Sequence, residues 1–131
     1  MFTAAPVVPG VRRAYASLVE YCERLGLERP SLVELDLRGT PAALLEARRA
    51  LSGLEGPVVA DLGGGLRPLG VVVLLALLTS GLDFELYVTG ESGEGAEVHI
   101  PAGVVRALRG LSEEKRAILQ VIAKEPGIGA E

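Results

Sequence analysis

The residues best suited to chemistry form a glycine-rich turn, Asp61-Leu62-Gly63-Gly64-Gly65-Leu66-Arg67-Pro68. Three consecutive glycines let successive backbone N–H groups turn inward without interference from Cβ atoms. The helix predicted to follow directs its positive end at the same concavity, and Arg67 adds a planar fork of donors that suits phosphate oxygens. The turn therefore predicts an anion site, with phosphate as the matching ligand. Asp61 repels phosphate, so it is predicted to hold the loop by accepting hydrogen bonds from its N–H groups.

The same turn has a plainer interpretation. Three glycines can simply connect a strand to a helix, with Asp61 as the helix cap and Arg67 in water. The spacing is not the Gly-x-Gly-x-x-Gly dinucleotide fingerprint, because Gly70 falls out of register, and no Gly-Lys-Ser/Thr of a P-loop occurs. The sequence therefore predicts neither a dinucleotide cofactor nor triphosphatase activity.

Three other segments are weaker candidates. The segment Pro6 to Gly10 leads into a predicted helix headed by Arg12 and Arg13, and these two arginines could reach a phosphate or lie in water. The turn Gly90 to Gly95 could cover a ligand or serve only as a flexible hairpin. His99 alternates with apolar residues on a predicted strand and is interpreted as a surface or packing residue rather than a general base. No Ser-His-Asp, Cys-His or metal-ligand constellation can be assembled, so no metal is predicted and classical hydrolase chemistry is unsupported.

The elements that must position these residues alternate between strand and helix, which indicates an α/β fold. Apolar residues with helical spacing, Thr40 as an N-cap before a first helical Pro41, and Gly26 at an expected helix end give the helices; short apolar or alternating runs give the strands. The sequence predicts helices over Val11 to Leu25, Pro41 to about Leu51, Leu66 to Thr79, Pro101 to Arg109 and Ser112 to before Pro126. It predicts strands over Leu32 to Leu37, Pro57 to Leu62 and Phe84 to Val88, the last joined by a hairpin to a strand holding Val98 and Ile100.

Length and composition narrow the class of protein. The 131 residues are 49% hydrophobic and 23% charged, which favours one compact core. The formal charge of −4 excludes a broad field that attracts nucleic acid, so an anion must be bound locally. Cys22 is the single cysteine and suits a reducing interior, and the apolar run from Val71 to Leu78 is too short to span a bilayer. A cytoplasmic protein is expected.

Several stretches resemble the CARF (CRISPR-associated Rossmann fold) domain of archaeal CRISPR-associated regulators that join this domain to a winged helix. The resemblance runs from Pro6 to the end of the chain. It rests on the Val-Val-x-Asp-Leu-x-x-Gly-Leu-Arg stretch from Val58 to Arg67, the apolar helix after it, Phe84 to Val88, and Val104 to Leu108.

The resemblance implies a Rossmann-like three-layer sandwich, with a mostly parallel sheet, a C-terminal β-hairpin and a trailing helix. Such domains form homodimers and bind cyclic oligoadenylate, commonly the four-membered ring, across the two-fold axis; a symmetric ring presents equivalent groups to the same loop of both copies. The ligand-binding residues implied are Asp61, Gly63, Gly64, Gly65, Arg67, Pro9, Gly10 and Arg12.

Two departures from the family pattern affect the site. Gly63 stands where the family usually carries Thr or Ser, which removes a hydroxyl donor and predicts weaker binding. The family also begins with a β-α unit that contributes to the pocket, whereas this chain is expected to begin at the second strand, around Phe2 to Val8. Three explanations stay open: the start is truncated, another chain fills the gap, or the sensor role has been lost.

The resemblance divides the chain into a CARF-like domain at 1–110 and, at 111–131, a helix that corresponds to the start of a winged helix. The winged helix ends before a recognition helix, so direct DNA binding by these residues is not expected. The leading hypothesis is a sensor of cyclic oligoadenylate that regulates a transcriptional or effector partner. The alternatives are a metal-independent ring nuclease, with Arg67 as its catalytic residue, and a degenerate structural dimerisation domain.

Overall fold

A computed structural model of the chain describes residues 1–64, 66–89, 97–110 and 113–124. The fold is α/β, as predicted, with strands and helices alternating along most of the chain. The elements in order are β1 (Phe2–Ala4), α1 (Pro9–Arg24), β2 (Val33–Leu35), α2 (Thr40–Leu51), β3 (Val58–Asp61), α3 (Arg67–Thr79), β4 (Phe84–Thr89), β5 (Glu97–Ile100), α4 (Ala102–Arg109) and α5 (Glu113–Lys124).

The strands form two sheets. β1 and β2 pair in parallel, with Thr3 opposite Glu34, and β3 and β4 also pair in parallel, with Ala60 opposite Leu86. β5 joins β4 antiparallel and makes the predicted hairpin. The parallel pairs and the hairpin agree with the expected Rossmann-like class. In the part of the chain that the structure describes, however, no ladder joins β1 to β3, so the sheet is divided into a two-stranded and a three-stranded part.

Helices α2 and α3 hold the two parts together. They pack against each other, α2 contacts β2, and α3 contacts β1 across the division. The sequence of α3 is apolar on nearly all sides, which is typical of a helix that is buried against several elements. Thr3 of β1 is the one buried polar residue among those described. The buried hydrophobic residues of the core are Leu35, Ala43, Ala47, Leu51, Leu69, Val72, Val73, Ala76, Leu77, Phe84, Leu86 and Val105.

Helix α1 is amphipathic but buries none of its residues. Its end agrees with prediction, because Gly26 has a φ of +68°, which favours glycine, and the N–H of Leu27 donates to the carbonyl of Cys22. The apolar side of α1 is therefore only partly covered: Val11, Tyr15, Val19 and Cys22 are half-buried.

Arg109 ties α4 to the end of α3. Its guanidinium donates to the backbone carbonyls of Leu77, Leu78 and Leu82 and lies over the ring of Phe84, 5.2 Å from the ring centroid. Positive charge near the C-terminal carbonyls of a helix is stabilising. The short helix α4 is thereby fastened to the core, where it also buries Val105.

Several boundaries differ from the predictions. Thr40 is not the N-cap of α2: Gly39 takes that place and Thr40 is already helical, because the helix begins one residue earlier and makes no side-chain cap bond. The strand was predicted from Leu32 to Leu37, but in the structure β2 contains only the three residues that pair with β1. The predictions for Gly65, for the turn Gly90 to Gly95 and for Ser112 fall outside the described residues.

Candidate functional site

The carboxyl ends of β1 and β3 open onto one cavity of about 1160 Å³. β1 contributes all of its residues to the wall, and so does β3. The beginnings of α1 and α3, the helices that follow these two strands, also line it. Ligands of open α/β sheets bind at the carboxyl ends of strands where neighbouring connections diverge, which is the position of this cavity.

The glycine turn is held by its own aspartate. Oδ1 of Asp61 accepts a hydrogen bond from the N–H of Gly63 at 2.8 Å, which is the loop-holding contact predicted from the sequence. The preceding amide, that of Leu62, donates to the carbonyl of Tyr87 at 2.8 Å and continues the β3–β4 ladder. The amide of Gly63 is therefore satisfied within the chain.

Gly63 is required by the packing of the turn. A Cβ atom at this position would lie 2.1 Å from Oγ1 of Thr89 and 2.8 Å from its backbone N. Any larger residue here would clash with β4, which explains why no hydroxyl side chain stands at this position. Gly64 is different, because nothing lies within 4 Å of the Cβ that it lacks.

The two helices that begin at the cavity have no side-chain cap at their N-termini. Leu66 is the N-cap of α3 and Val8 that of α1; neither helix has a side-chain cap bond, and neither has an acidic residue in its first turn. Arg67 is the first residue of α3, with an exposed side chain. Pro9 and Pro68 have no N–H, and the third amide of α1 donates to the carbonyl of Val8. The remaining first-turn amides and the positive end of each helix dipole favour an anion.

The structure brings part of the predicted site together. Gly10, Asp61 and Gly64 line the cavity, whereas Pro9, Arg12, Gly63 and Arg67 stand in the adjoining segments and not on its wall. Arg12 is exposed in the first turn of α1.

The sequence analysis missed the contribution of β1 and of the apolar side of α1. Phe2–Ala4, Val11, Ala14 and Leu18 all line the cavity. The resemblance placed a strand around Phe2 to Val8, where the structure has the shorter β1, but three residues carry too little periodicity to show which side of the strand would line a site. The spacing of Val11, Ala14 and Leu18 predicted a helix face but not what that face would meet.

A second polar cluster lies on the hairpin. Oε1 of Glu85 accepts a hydrogen bond from the hydroxyl of Tyr87 at 2.5 Å and lies 2.6 Å from Nε2 of His99. The rings of Tyr87 and His99 stack at 4.3 Å with an interplanar angle of 10°. The Tyr87 hydroxyl, followed by His99, lowers the pKa of Glu85, and the carboxylate raises the pKa of Tyr87. His99 is thus a surface packing residue, as predicted; the hairpin register, which sets Tyr87 opposite His99, would have revealed the cluster.

Among the described residues, no group of three or more His, Cys, Asp or Glu side chains is placed to hold a metal ion. None of the helices in the same ranges is long and apolar enough to cross a membrane.

Comparison with known proteins gives two matches. A family model described as the Csa3 CRISPR-associated Rossmann-like domain matches residues 1–101. The chain is also 29% identical over 126 residues to the "CRISPR locus-related putative DNA-binding protein Csa3" of Saccharolobus solfataricus. That match covers 95% of this chain and 53% of the relative, so the chain spans about half the length of the protein it resembles. Because the family model matches most of the chain, from β1 to the end of β5, the chain belongs to the family of Csa3 CRISPR-associated Rossmann-like domains.

Proposed function

We propose that this CRISPR-associated domain binds a cyclic oligoadenylate, cyclic tetra-adenylate, between two copies of the chain and regulates a transcriptional or effector partner. The observation that carries the proposal is the cavity at the ends of β1 and β3, where two uncapped helices begin beside the glycine turn. The phosphates of the ring supply the negative charge that this arrangement favours.

Three groups are suited to the phosphates. The backbone at Gly64 is unobstructed, the first amides of α3 have no side-chain cap, and the guanidinium of Arg67 is exposed beside them. Asp61 does not compete for the same amides, because its carboxylate oxygen is turned to Gly63. In this arrangement Gly63 shapes the loop, and Gly64 and Arg67 contact the ligand.

Symmetry favours a ring as the ligand and a homodimer as the receptor. A cyclic oligonucleotide repeats its phosphates around an axis, so two copies related by a two-fold axis meet it with the same loop. Each contact is then made twice, once by each copy, with no additional binding residues. The electrostatic contacts predict binding that weakens as salt is raised.

The regulatory role rests on the family and on the length of the relative. The relative's name includes DNA binding, and the present chain corresponds to about half of that protein. We assign residues 1–110 to the sensor domain and 111–131 to the start of a winged helix. Direct DNA contact by these residues is not part of the proposal.

Isothermal titration with cyclic tetra-adenylate at low and moderate salt tests the proposal, with two isosteric substitutions as a matched pair. Gly64→Asp places a carboxylate where a phosphate would lie, whereas Gly64→Asn adds the same volume without charge. We expect Gly64→Asp to weaken binding at least about tenfold and Gly64→Asn to have a much smaller effect, since both side chains enter open space. Light scattering should give the mass of a dimer. Absence of heat for the unaltered protein at both salt concentrations would refute ligand binding.

The same samples separate binding from cleavage. Chromatography of the ring after incubation with a chelator should recover it intact. Linear products that form with the unaltered protein but not with Arg67→Ala would contradict a sensor that only binds the ring. They would favour a ring nuclease in which Arg67 stabilises charge on the reacting phosphate.

A further inference from the structure

We propose that Thr89, the last residue of β4, recognises the 2′-hydroxyl of a ribose in the bound nucleotide ring. The inference rests on the proposed function and deepens it, because it concerns which kind of ring the site accepts: one built from ribose rather than deoxyribose. It adds a residue of a second strand to the groups of the glycine turn and α3.

Thr89 stands at the carboxyl end of β4, directly beside the glycine turn. β3 and β4 are parallel, with Asp61 opposite Tyr87, so β4 continues two residues past the end of β3. The carboxyl ends of parallel strands form the edge at which ligands of open α/β sheets bind. Thr89 is therefore at the ligand edge of the sheet, next to the strand whose end carries the turn.

The hydroxyl of Thr89 takes the place in which a side chain at position 63 would begin. A Cβ on Gly63 would lie 2.1 Å from Oγ1 of Thr89, closer than to the backbone N or O of the same residue, at 2.8 and 2.9 Å. The turn thus has a hydroxyl at this point, supplied by β4 instead of by its own sequence. Gly64, where the proposed phosphate contact lies, is one Cα–Cα step of about 3.8 Å further along the chain.

The hydroxyl of Thr89 is available to a ligand. Thr89 is exposed, and its Oγ1 forms no hydrogen bond with another residue in the described ranges. By contrast, the hydroxyls of Ser52, Thr79 and Ser80 each donate to a backbone carbonyl at the end of a helix. A hydroxyl can both donate and accept, so Thr89 can bind either a donor or an acceptor of the ligand.

The charge next to Thr89 disfavours a phosphate as its partner. Glu97 of β5 lies directly opposite Thr89 in the antiparallel ladder, and the Cβ atoms of such a pair are about 5 Å apart. No cation of the described residues pairs with the carboxylate of Glu97. The pKa of Tyr87 is raised first by its hydrogen bond to Glu85, and the charge of Glu97 adds to that rise. A phosphate at Thr89 would face this negative charge, so a neutral polar group fits better.

The 2′-hydroxyl is the neutral group that the proposed ligand offers at this place. In a ring joined by 3′,5′-phosphodiester bonds, the 3′ and 5′ oxygens are esterified, so the 2′-hydroxyl is the one hydroxyl left on each sugar. It stands on the carbon next to the one that carries the phosphate ester. A phosphate bound at Gly64 therefore brings a 2′-hydroxyl within reach of Thr89, where it accepts a hydrogen bond from the threonine and donates one to Glu97.

Isothermal titration with cyclic tetra-adenylate and with its all-2′-deoxy counterpart tests the inference in the unaltered protein and in two variants. Thr89→Val keeps the branched shape and removes the hydroxyl, whereas Thr89→Ser keeps the hydroxyl. We expect the unaltered protein and Thr89→Ser to prefer the ribose ring at least about tenfold. Thr89→Val should lose that preference, with weaker binding of the ribose ring and unchanged binding of the deoxy ring.

Thr40→Val is the matched control. Thr40 is exposed at the beginning of α2 and does not line the cavity, so the same substitution there should leave the affinity for both rings unchanged. Circular dichroism verifies that each variant folds.

The comparison of the two rings separates a direct contact from a structural role. If Thr89→Val displaced the turn, or removed a phosphate contact, both rings would bind more weakly by the same factor, and the inference would be overturned. It would also be overturned if the unaltered protein had no preference, or if the preference survived in Thr89→Val. Each of these results leaves ring binding itself intact. Absence of binding by the unaltered protein would instead refute the proposed function, and this inference with it.

Discussion

Gly63 lets the turn pack against β4 because it has no side chain. A Cβ there would lie 2.1 Å from Oγ1 of Thr89 and 2.8 Å from its backbone N, so Gly63→Ala must displace either the turn or β4. We expect a loss of about 1–3 kcal/mol in the free energy of unfolding. Gly64→Ala is the matched control, since its Cβ meets nothing within 4 Å, and should change stability by less than about 1 kcal/mol. Urea unfolding measures both; equal losses would contradict this account.

The carboxylate of Glu85 reports on the hairpin cluster. Its pKa is lowered by the hydroxyl of Tyr87 first and by His99 second. A lowered pKa in the folded state means that this contribution to stability is present above the ordinary value of 4.5 and is lost as pH falls through the folded value.

Tyr87→Phe removes the hydroxyl donor, so the pKa of Glu85 should rise toward the ordinary value in a carboxyl NMR titration. Tyr15→Phe is the control, because that hydroxyl donates to the carbonyl of Pro30 and not to Glu85. A pKa of Glu85 that stays the same in Tyr87→Phe would show that the hydroxyl does not set it.

Among the elements, α4 depends on one side chain for its attachment to α3. Arg109 donates to two carbonyls in the last turn of α3 and to that of Leu82 in the connection to β4, and it covers the ring of Phe84. Arg109→Met keeps an unbranched apolar stem but leaves those carbonyls without the charged donor. We expect a loss of about 2 kcal/mol in the free energy of unfolding. Arg49→Met, which removes an exposed pair with Glu46 at 3.9 Å, should cost less than about 1 kcal/mol. Similar losses in the two variants would rule out a special role for Arg109.

At the scale of the whole molecule, periodicity in the sequence predicted most of the elements and the fold class. The apolar residues of α3 and the alternation in β4 are local signals that need no knowledge of the partner element. The division of the sheet could not be predicted in this way, because it depends on where Phe2–Ala4 pairs and on the β1 edge that remains open. Likewise, the turn was identified as a candidate site from its glycines, but the need for glycine at 63 arises from Thr89, far along the chain.

Helix α3 begins at the candidate site, and its last turn accepts hydrogen bonds from Arg109. Its 13 residues form a rod of about 20 Å whose length is fixed by its own hydrogen bonds. If the proposed ligand binds at the first turn of α3, we expect the helix to move as one body and to carry with it Arg109, the final residue of α4. Binding at the edge of the sheet would then be felt at the end of α4, on the far side of the domain core.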